Sequence, residues 1–318
     1  MPPLVSILIP CHNARQWVKQ AIDSSLAQTW EEKEIIVIDD GSTDGSLKII
    51  EQFDGRIRWE TGPNRGGNAA RNRLLELAKG VWLQYLDADD YLLPDKIANQ
   101  MRFIGPYTDA DIVYGPVTKE FHTGDRIYRE FQPIPEPHDL WQLLVLWYLP
   151  QTGAPLWRKQ ALLEVGGWKA EQPCCQEHEL YLRLLMAGKT FSYSAHGGAI
   201  YRQWSDQTVC KRDKPQVIRH RLEITQRAED FLNKSRELTN NRRQAINQAR
   251  FQMARLAWGV DRSTALQTLR TIQISQPGFS PDAGTLSRSY RTSLSLLGFR
   301  ATETFAGWRR LLQVAAGR

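Results

Sequence analysis

Residues 34–50 read EIIVIDDGSTDGSLKII. Glu34 to Ile38 reads as a strand, and its Ile35-Ile36-Val37-Ile38 is an unbroken, β-branched apolar run, the pattern of a strand buried on both faces. It ends in Asp39-Asp40-Gly41-Ser42, and a helix is predicted from about Asp44 with Ser42 or Thr43 as N-cap. Working outward, the unit repeats. Upstream, Val5-Ser6-Ile7-Leu8-Ile9 is a strand, and Trp17, Ala21, Ile22 and Leu26 fall near helical spacing within residues 14–28. Downstream come a short strand at Ile57 to Glu60, a helix over 68–79 stopped by Gly80, and a strand at Val81 to Leu86. That strand ends in Asp87-Ala88-Asp89-Asp90, and Pro94 suits the first turn of the next helix. Repeated strand–helix units predict an α/β fold, an open, mostly parallel sheet with helices on both faces. Ligands of such sheets bind beyond the carboxyl ends of the strands, so both acidic clusters should face one crevice.

A chain of 318 residues, 42% hydrophobic and 24% charged, has room for about two domains and a sizeable core. Disordered, collagen-like and disulfide-framework classes are excluded. The four cysteines, Cys11, Cys174, Cys175 and Cys210, include no CxxC pair, which argues against a thiolate zinc site and for a reducing cytosol. The N-terminal stretch lacks the basic region of a signal peptide. The most apolar later stretch, Leu140 to Leu149, has about ten residues, against the ~20 a spanning helix needs. The expected location is the cytoplasm, either free or peripheral at the inner face of the cell membrane. Charge is uneven. Residues 215–318 hold 17 Lys plus Arg against 7 Asp plus Glu, a net of +10, while residues 1–214 carry a net of −4. Basic tails of this kind meet nucleic acid, anionic membrane or acidic glycan.

Two carboxylates one residue apart at the end of a buried strand are electrostatically poor unless a cation joins them. Asp87 and Asp89, with oxygen-only side chains, suit Mn²⁺ or Mg²⁺, especially with a diphosphate completing the shell. Residues 62–72, GPNRGGNAARN, form a Gly-rich loop entering a helix. Its amides could favour an anion, with Arg71 in reach of a phosphate. It is neither a GxxxxGK[ST] nor a GxGxxG loop. From Asp109 to Tyr201 the pattern loosens into loops and short apolar stretches, with a clear helix at Glu179 to Met186. Beyond Pro215 come long Arg/Gln-rich helices to about Ile274, a Pro/Gly break at Gln276 to Gly284, and a terminal segment.

The ordered set of strand-PCHN, VIDDGSTDGS, NRGGNAARN and YLDADDYLLPDK resembles the family 2 glycosyltransferases of GT-A fold across residues 4–100. The resemblance continues more weakly through PQTGAPLWRKQALLEVGGW (150–168), CCQEHELYLRLLMAG (174–188) and Tyr201-Arg202-Gln203-Trp204, to about residue 210. It implies a GT-A domain over 1–214, with a nucleotide-sugar half at 4–100 and an acceptor half at 101–214; the basic, mainly helical extension over 215–318 lies outside the resemblance. It implies an inverting, metal-dependent transfer from a nucleotide-diphosphate sugar, a UDP-sugar by family habit, to a glycan or lipid-linked hydroxyl. By the same resemblance Asp40 lies under the base with Asp39 beside it, and Asp87 lies near the ribose. Pro10, Arg71, Ala88 and Arg202 line the donor, Arg202 at the diphosphate. The metal sits on Asp89, with Asp87 as a second candidate. Glu177 takes the general-base position and Glu179 is the second choice, because the local string is Gln-Glu-His-Glu rather than the commoner Glu-Asp.

The reaction needs a metal for the leaving diphosphate, a carboxylate for the acceptor proton, and the two on opposite faces of the reacting carbon. Competing readings are a sugar-nucleotide nucleotidyltransferase, a non-catalytic or degenerate nucleotide-sugar-binding protein of the same fold, and a nucleic-acid binder. The nucleotidyltransferase should carry a Gly/Arg loop after the first strand, where this chain has PCHNARQW. For nucleic acid no motif or RNP-type aromatic pattern is found, so none is expected as a partner. Trp141, Trp147, Tyr148, Trp157 and Trp168 are either sugar platforms or core, with Trp157 the least expected as pure core beside Arg158-Lys159. Adjacent Cys174 and Cys175 are expected to pack rather than bridge. Arg242-Arg243 reads as a solvated helix face. In the terminal segment, Phe305, Trp308, Leu311 and Leu312 fall at spacings of three and four, with Arg309 and Arg310 flanking. That is the pattern of a helix lying in an anionic membrane interface or docked on the protein body.

Overall fold

The computed structural model describes residues 2–104, 109–124, 126–205 and 213–315, with side chains described through residue 307. It divides into two compact units, Met1–Val209 and Cys210–Arg318.

The first unit is built on a sheet in the order β10-β6-β9-β4-β1-β2-β3. Its centre is β1 (Val5–Cys11), parallel to β2 (Lys33–Asp40) on one side and to β4 (Trp82–Tyr85) on the other. β3 (Arg58–Gly62) adds in parallel to β2. Val5, Ile7, Leu8 and Ile9 are all fully buried, as an apolar run covered on both faces requires. Helices α1 (Val18–Leu26), α2 (Ser46–Glu51), α3 (Gly67–Leu77) and α4 (Lys96–Ile104) follow the strands in turn. Helix α2 starts later than Ser42 or Thr43 would have it. Gly45 is its N-cap, at φ +94°, and the capping is done by Asp44, whose Oδ1 accepts from Ser46 N at 2.9 Å.

The rest of this unit is more ordered than its sequence suggests. β6 (Ile112–Tyr114) and β10 (Phe191–Tyr193) extend the sheet in parallel with each other, while β9 (Leu156–Arg158) lies between β4 and β6, antiparallel to both. A second sheet runs β5 (Tyr91–Leu92), β11 (Ala199–Gln203), β7 (Val117–Thr123), β8 (Arg126–Gln132). Strand β7 reads VTKEFHT and the almost wholly exposed β8 reads RIYREFQ, so neither shows the apolar signal that marked β1 and β2. Short helices α5 (Leu140–Val145) and α6 (Lys159–Glu164) precede α7 (Gln176–Met186).

The aromatic alternatives divide cleanly. Trp157 is fully buried, and Trp141 and Trp168 are 7% and 2% exposed, so all three are core. This corrects the expectation for Trp157. Successive side chains on a strand point to opposite faces, so its neighbour Arg158 says nothing about where Trp157 looks. Trp147 instead lies flat on His178, ring centroids 3.8 Å apart, and Tyr148 is exposed. Cys11, Cys174 and Cys175 are buried, and Cys210 lies outside the described residues.

The second unit is helical: α8 (Lys214–Lys234), α9 (Asn240–Ala257), α10 (Arg262–Ser275) and α11 (Arg288–Ala315), the last in two segments meeting at Gly298, φ +71°. The first three start at Asp213, Thr239 and Asp261, whose side chains accept from backbone amides at N3. Its polar interior is paired, Arg250 with Glu229 at 2.5 Å and Arg255 with Glu303 at 2.7 Å. Arg242 and Arg243 are half-buried rather than solvated, donating to the carbonyls of Glu237 and Ser275. Among the described residues no helix is long and apolar enough to cross a membrane.

Candidate active site

The carboxyl ends of β2 and β4, on either side of β1, bring two acidic stretches to one rim. At β2, register pairs Cys11 with Asp39 and Pro10 with Ile38. Asp39 is 1% exposed. One oxygen accepts from the Thr61 hydroxyl at 2.8 Å, and the other has no hydrogen-bond partner. Burial, with the Asp39 charge behind it, pushes the neighbouring Cys11 thiol up to about 12, so it is no nucleophile at neutral pH. Asp40 has a different task. Its two oxygens accept from the backbone amides of Arg65 and Gly66 at 2.8 and 2.9 Å, which pins the Gly-rich loop against β2. Gly41 is required here, at φ +70°, because a Cβ would fall 2.6 Å from Asn64 N.

That loop feeds α3 and positions Arg71. The guanidinium is buried and donates to Asp87 Oδ1 at 2.8 Å, Gln176 Oε1 at 2.9 Å and Asn68 Oδ1 at 3.1 Å, over the ring of Trp168. Burial works against its charge, and the carboxylates of Asp87 and Glu177 more than offset that, raising its pKa. Arg71 thus stands between the β4 cluster and the start of α7.

The β4 cluster is unevenly solvated. Asp87 and Asp89 are half-buried, with Ala88 buried between them. Asp89 Oδ2 accepts from the Trp204 indole at 2.9 Å. Burial and then the Asp87 charge raise the Asp89 pKa. Asp90 is buried, raised well above the carboxylate range by desolvation and its two neighbours, with one oxygen unpartnered. Three carboxyls under mutual repulsion at a rim, all-oxygen in donor type, fit a hard divalent cation. Among the described residues no cluster of three or more His, Cys, Asp or Glu could hold a metal by itself. Asp87 and Asp89 would therefore need a bound diphosphate to complete the shell.

Arg202 departs from its expected place at the diphosphate. Its side chain is 1% exposed. Its guanidinium donates to the carbonyl of Asp89, to Gln20 Oε1 at 2.7 Å and to Glu120 Oε1 at 3.4 Å, stacked 4.1 Å from the Trp17 ring. It grips the acidic loop from behind and ties it to Gln20 of α1 and Glu120 of β7.

At α7, Glu177 is half-buried, and its Oε1 accepts from the Thr152 hydroxyl at 2.5 Å. Glu179 turns away. It is 2% exposed and paired with Arg183 at 2.8 Å, and Arg183 also donates to the carbonyls of Val165 and Gly167. Glu179 is therefore part of the buried brace for the Gly166-Gly167 turn, which removes it as the second candidate for the base. Thr152, Gln176 and Glu120 were not singled out from the sequence. Their partners lie 25, 105 and 82 residues away, and no local pattern marks such pairs.

Residues 6–162 match the model of "Glycosyl transferase family 2". An uncharacterized glycosyltransferase of Haemophilus influenzae is 42% identical over 106 residues, 32% of this chain and 42% of the relative. The chondroitin synthase of Pasteurella multocida is 41% identical over 98 residues, 30% of this chain and 10% of the synthase. The chain thus spans less than half the length of these relatives. Among solved structures, S. aureus TarS 1–349 in complex with UDP-GlcNAc superposes with a TM-score of 0.58 at 14% identity, over 86% of this chain and 91% of that one. The mannosyltransferase PcManGT from Pyrobaculum calidifontis, in complex with GDP-Man and Mn²⁺, does so with 0.53 at 16% identity, over 98% and 88%. At such identities the likeness is one of fold, the GT-A α/β arrangement. With its acidic strand ends, its Gly-rich loop and the match over residues 6–162, the first unit of the chain carries a glycosyl transferase family 2 domain.

Proposed function

We propose that this chain transfers a sugar, with inversion, from a nucleotide-diphosphate donor of the UDP class to a hydroxyl of a glycan or lipid-linked acceptor. One observation carries the reading: Arg71 lies between Asp87, with which it is ion-paired, and Glu177, whose charge also reaches it. The leaving-group side and the base side thus meet at one buried cation. Asp39 and Asp40 border the base and, through the pinned loop, shape the donor cleft. Asp89, with Asp87, would hold Mn²⁺ or Mg²⁺, which when bound neutralises the departing diphosphate. Glu177, oriented by Thr152, takes the proton of the acceptor hydroxyl. The acceptor oxygen bonds to the anomeric carbon as that carbon's bond to the diphosphate breaks, and the nucleoside diphosphate leaves with the electron pair. One base, with no nucleophile beside it among the described residues of the site, favours a single displacement. The neighbours bound to UDP-GlcNAc and to GDP-Man with Mn²⁺ support donor class and cation, and the chondroitin synthase supports a glycan acceptor. The test is a panel of nucleotide sugars with Mn²⁺, scored for nucleotide release and thermal stabilisation. Stabilisation by a donor with no release under any condition favours a non-catalytic binding protein instead.

Asp40→Ala is expected to raise the donor KM by about 10-fold while kcat falls less, since the loop it pins touches a remote, non-reacting part of the donor. Steady-state kinetics check this, and a fall in kcat with unchanged nucleotide affinity would sink the assignment.

For the second unit we read a contact with anionic membrane. Leu296, Leu297 and Phe305 are 75%, 55% and 55% exposed, beside exposed Arg288, Arg291 and Arg300, in a segment of net charge +10. Each basic residue near an anionic surface adds about 1 kcal/mol. The side chains of Trp308 to Leu312 lie outside those described. The chain is expected to sediment with phosphatidylglycerol liposomes at low salt and to be released by high salt. Deleting residues 300–318 should cut this binding and spare donor hydrolysis. Indifference to the liposomes, or unfolding of the truncated protein, leaves the docked-helix reading.

A further inference from the structure

Every strand of the second sheet contributes a side chain to one buried network behind the acidic loop. Strand β7 supplies Glu120, 5% exposed, at the centre. Its Oε2 accepts from the Tyr91 hydroxyl of β5 at 2.6 Å and from Arg129 Nε of β8 at 2.9 Å. Its Oε1 lies 2.9 Å from His122 Nε2 and accepts from Arg202 Nε of β11 at 3.4 Å. Arg129 also donates to the Tyr91 hydroxyl at 2.6 Å. The network runs on to the rim through one residue. Arg202 donates from its guanidinium to the Asp89 carbonyl and from its backbone amide to Asp90 Oδ1 at 2.8 Å.

A guanidinium is planar and its five donors are fixed relative to each other, so anchoring one edge sets the direction of the rest. Trp17 on one side at 4.1 Å and Tyr91 at 5.1 Å fix the plane, and among the described residues Glu120 is the carboxylate ion-paired with the Arg202 guanidinium. A buried arginine without its carboxylate is a poorly solvated charge that moves to find water. Burial disfavours the Glu120 charge. The hydrogen bonds from Tyr91, His122 and Arg129 and the Arg202 charge outweigh that and bring its pKa down to about 2, so it stays ionised throughout the working range.

We propose that Glu120 is a positioning residue for the cation site: by anchoring Arg202 it holds the Asp87–Asp90 loop in the conformation that binds the divalent ion with the donor diphosphate. Glu120 touches neither donor nor cation, and the second sheet is the brace that carries it. The inference rests on the cation reading above.

The test measures Mn²⁺ binding by loss of the free-ion EPR signal in the presence of UDP, alongside UDP affinity without metal, in full-length protein. Wild type, Glu120→Gln and Arg129→Met are compared, the last because Arg129 is half-exposed and its loss should leave the fold intact. Glu120→Gln is expected to weaken Mn²⁺ binding at least about 10-fold and Arg129→Met about 3-fold, with metal-free UDP affinity within about 2-fold of wild type. A merely structural role would lower both affinities together with the melting temperature, and that result overturns the proposal. So does wild-type Mn²⁺ affinity in either variant. If Glu120→Gln does not fold, Arg129→Met decides on the same split. Wild type that takes up no Mn²⁺ with UDP removes the cation reading itself, a different outcome from a wild type that binds and variants that match it.

Discussion

Asp89→Asn is expected to lower sugar transfer by roughly 10³-fold or more, because a cation at the leaving group is worth several kcal/mol of transition-state charge. The fold should survive. Asp89 is at a rim, and the amide oxygen of Asn can still accept from the Trp204 indole. The wild-type carboxylate is held under strain by burial and by the Asp87 charge. Removing its charge relieves that repulsion, so the melting temperature without metal should hold or rise slightly. With UDP and Mn²⁺ the wild type should gain thermal stability and the variant should not, since only a state that binds the ligand is stabilised. EDTA should inhibit the parent reversibly. Near wild-type turnover of Asp89→Asn in Mn²⁺ would remove Asp89 from the cation site.

The second large effect is at Glu177. Glu177→Gln should slow transfer by about 10²-fold or more, the range for losing a positioned general base. Donor and Mn²⁺ affinity should change little. The amide oxygen can still accept from Thr152, so the side chain keeps its place while losing its basicity. Glu179→Gln is the control. It breaks the buried pair with Arg183 and should lower stability, with any loss of activity following the loss of folded protein. If Glu179→Gln is catalytically dead at full stability while Glu177→Gln is active, the base has been misassigned.

The central sheet was legible because β1, β2 and β4 are apolar on both faces and end in acidic or turn residues, a pattern that needs no knowledge of what packs against it. The acidic rim was legible for the same reason: Asp39, Asp40, Asp87 and Asp89 sit where the strand signal stops. The second sheet was not. Its strands β7 and β8 alternate charged and aromatic residues, and β8 is exposed along its length, so no hydrophobic period separates it from a loop. The support of the site was illegible in a different way. Arg202 is 113 residues from Asp89 and Glu120 is 82 residues from Arg202, and their pairing exists only once β5, β11, β7 and β8 lie side by side. Arg202 itself was legible as important and misread in role. An arginine near a diphosphate site suggests a phosphate ligand, and burial decides otherwise. The choice between Glu177 and Glu179 turned on the helix. Two residues apart on α7 they face about 200° apart, so one can look into the cleft only if the other looks into the core.

The most direct measurement of the whole account is a proton NMR time course of UDP-N-acetylglucosamine and related UDP-sugars turned over by the full-length protein with Mn²⁺, following the anomeric signal of the first sugar released to water. From an α-linked donor, single displacement predicts the β-anomer first, with release dependent on Mn²⁺. The α-anomer appearing first, or no turnover of any nucleotide sugar with Mn²⁺ present, contradicts an inverting, cation-assisted transferase.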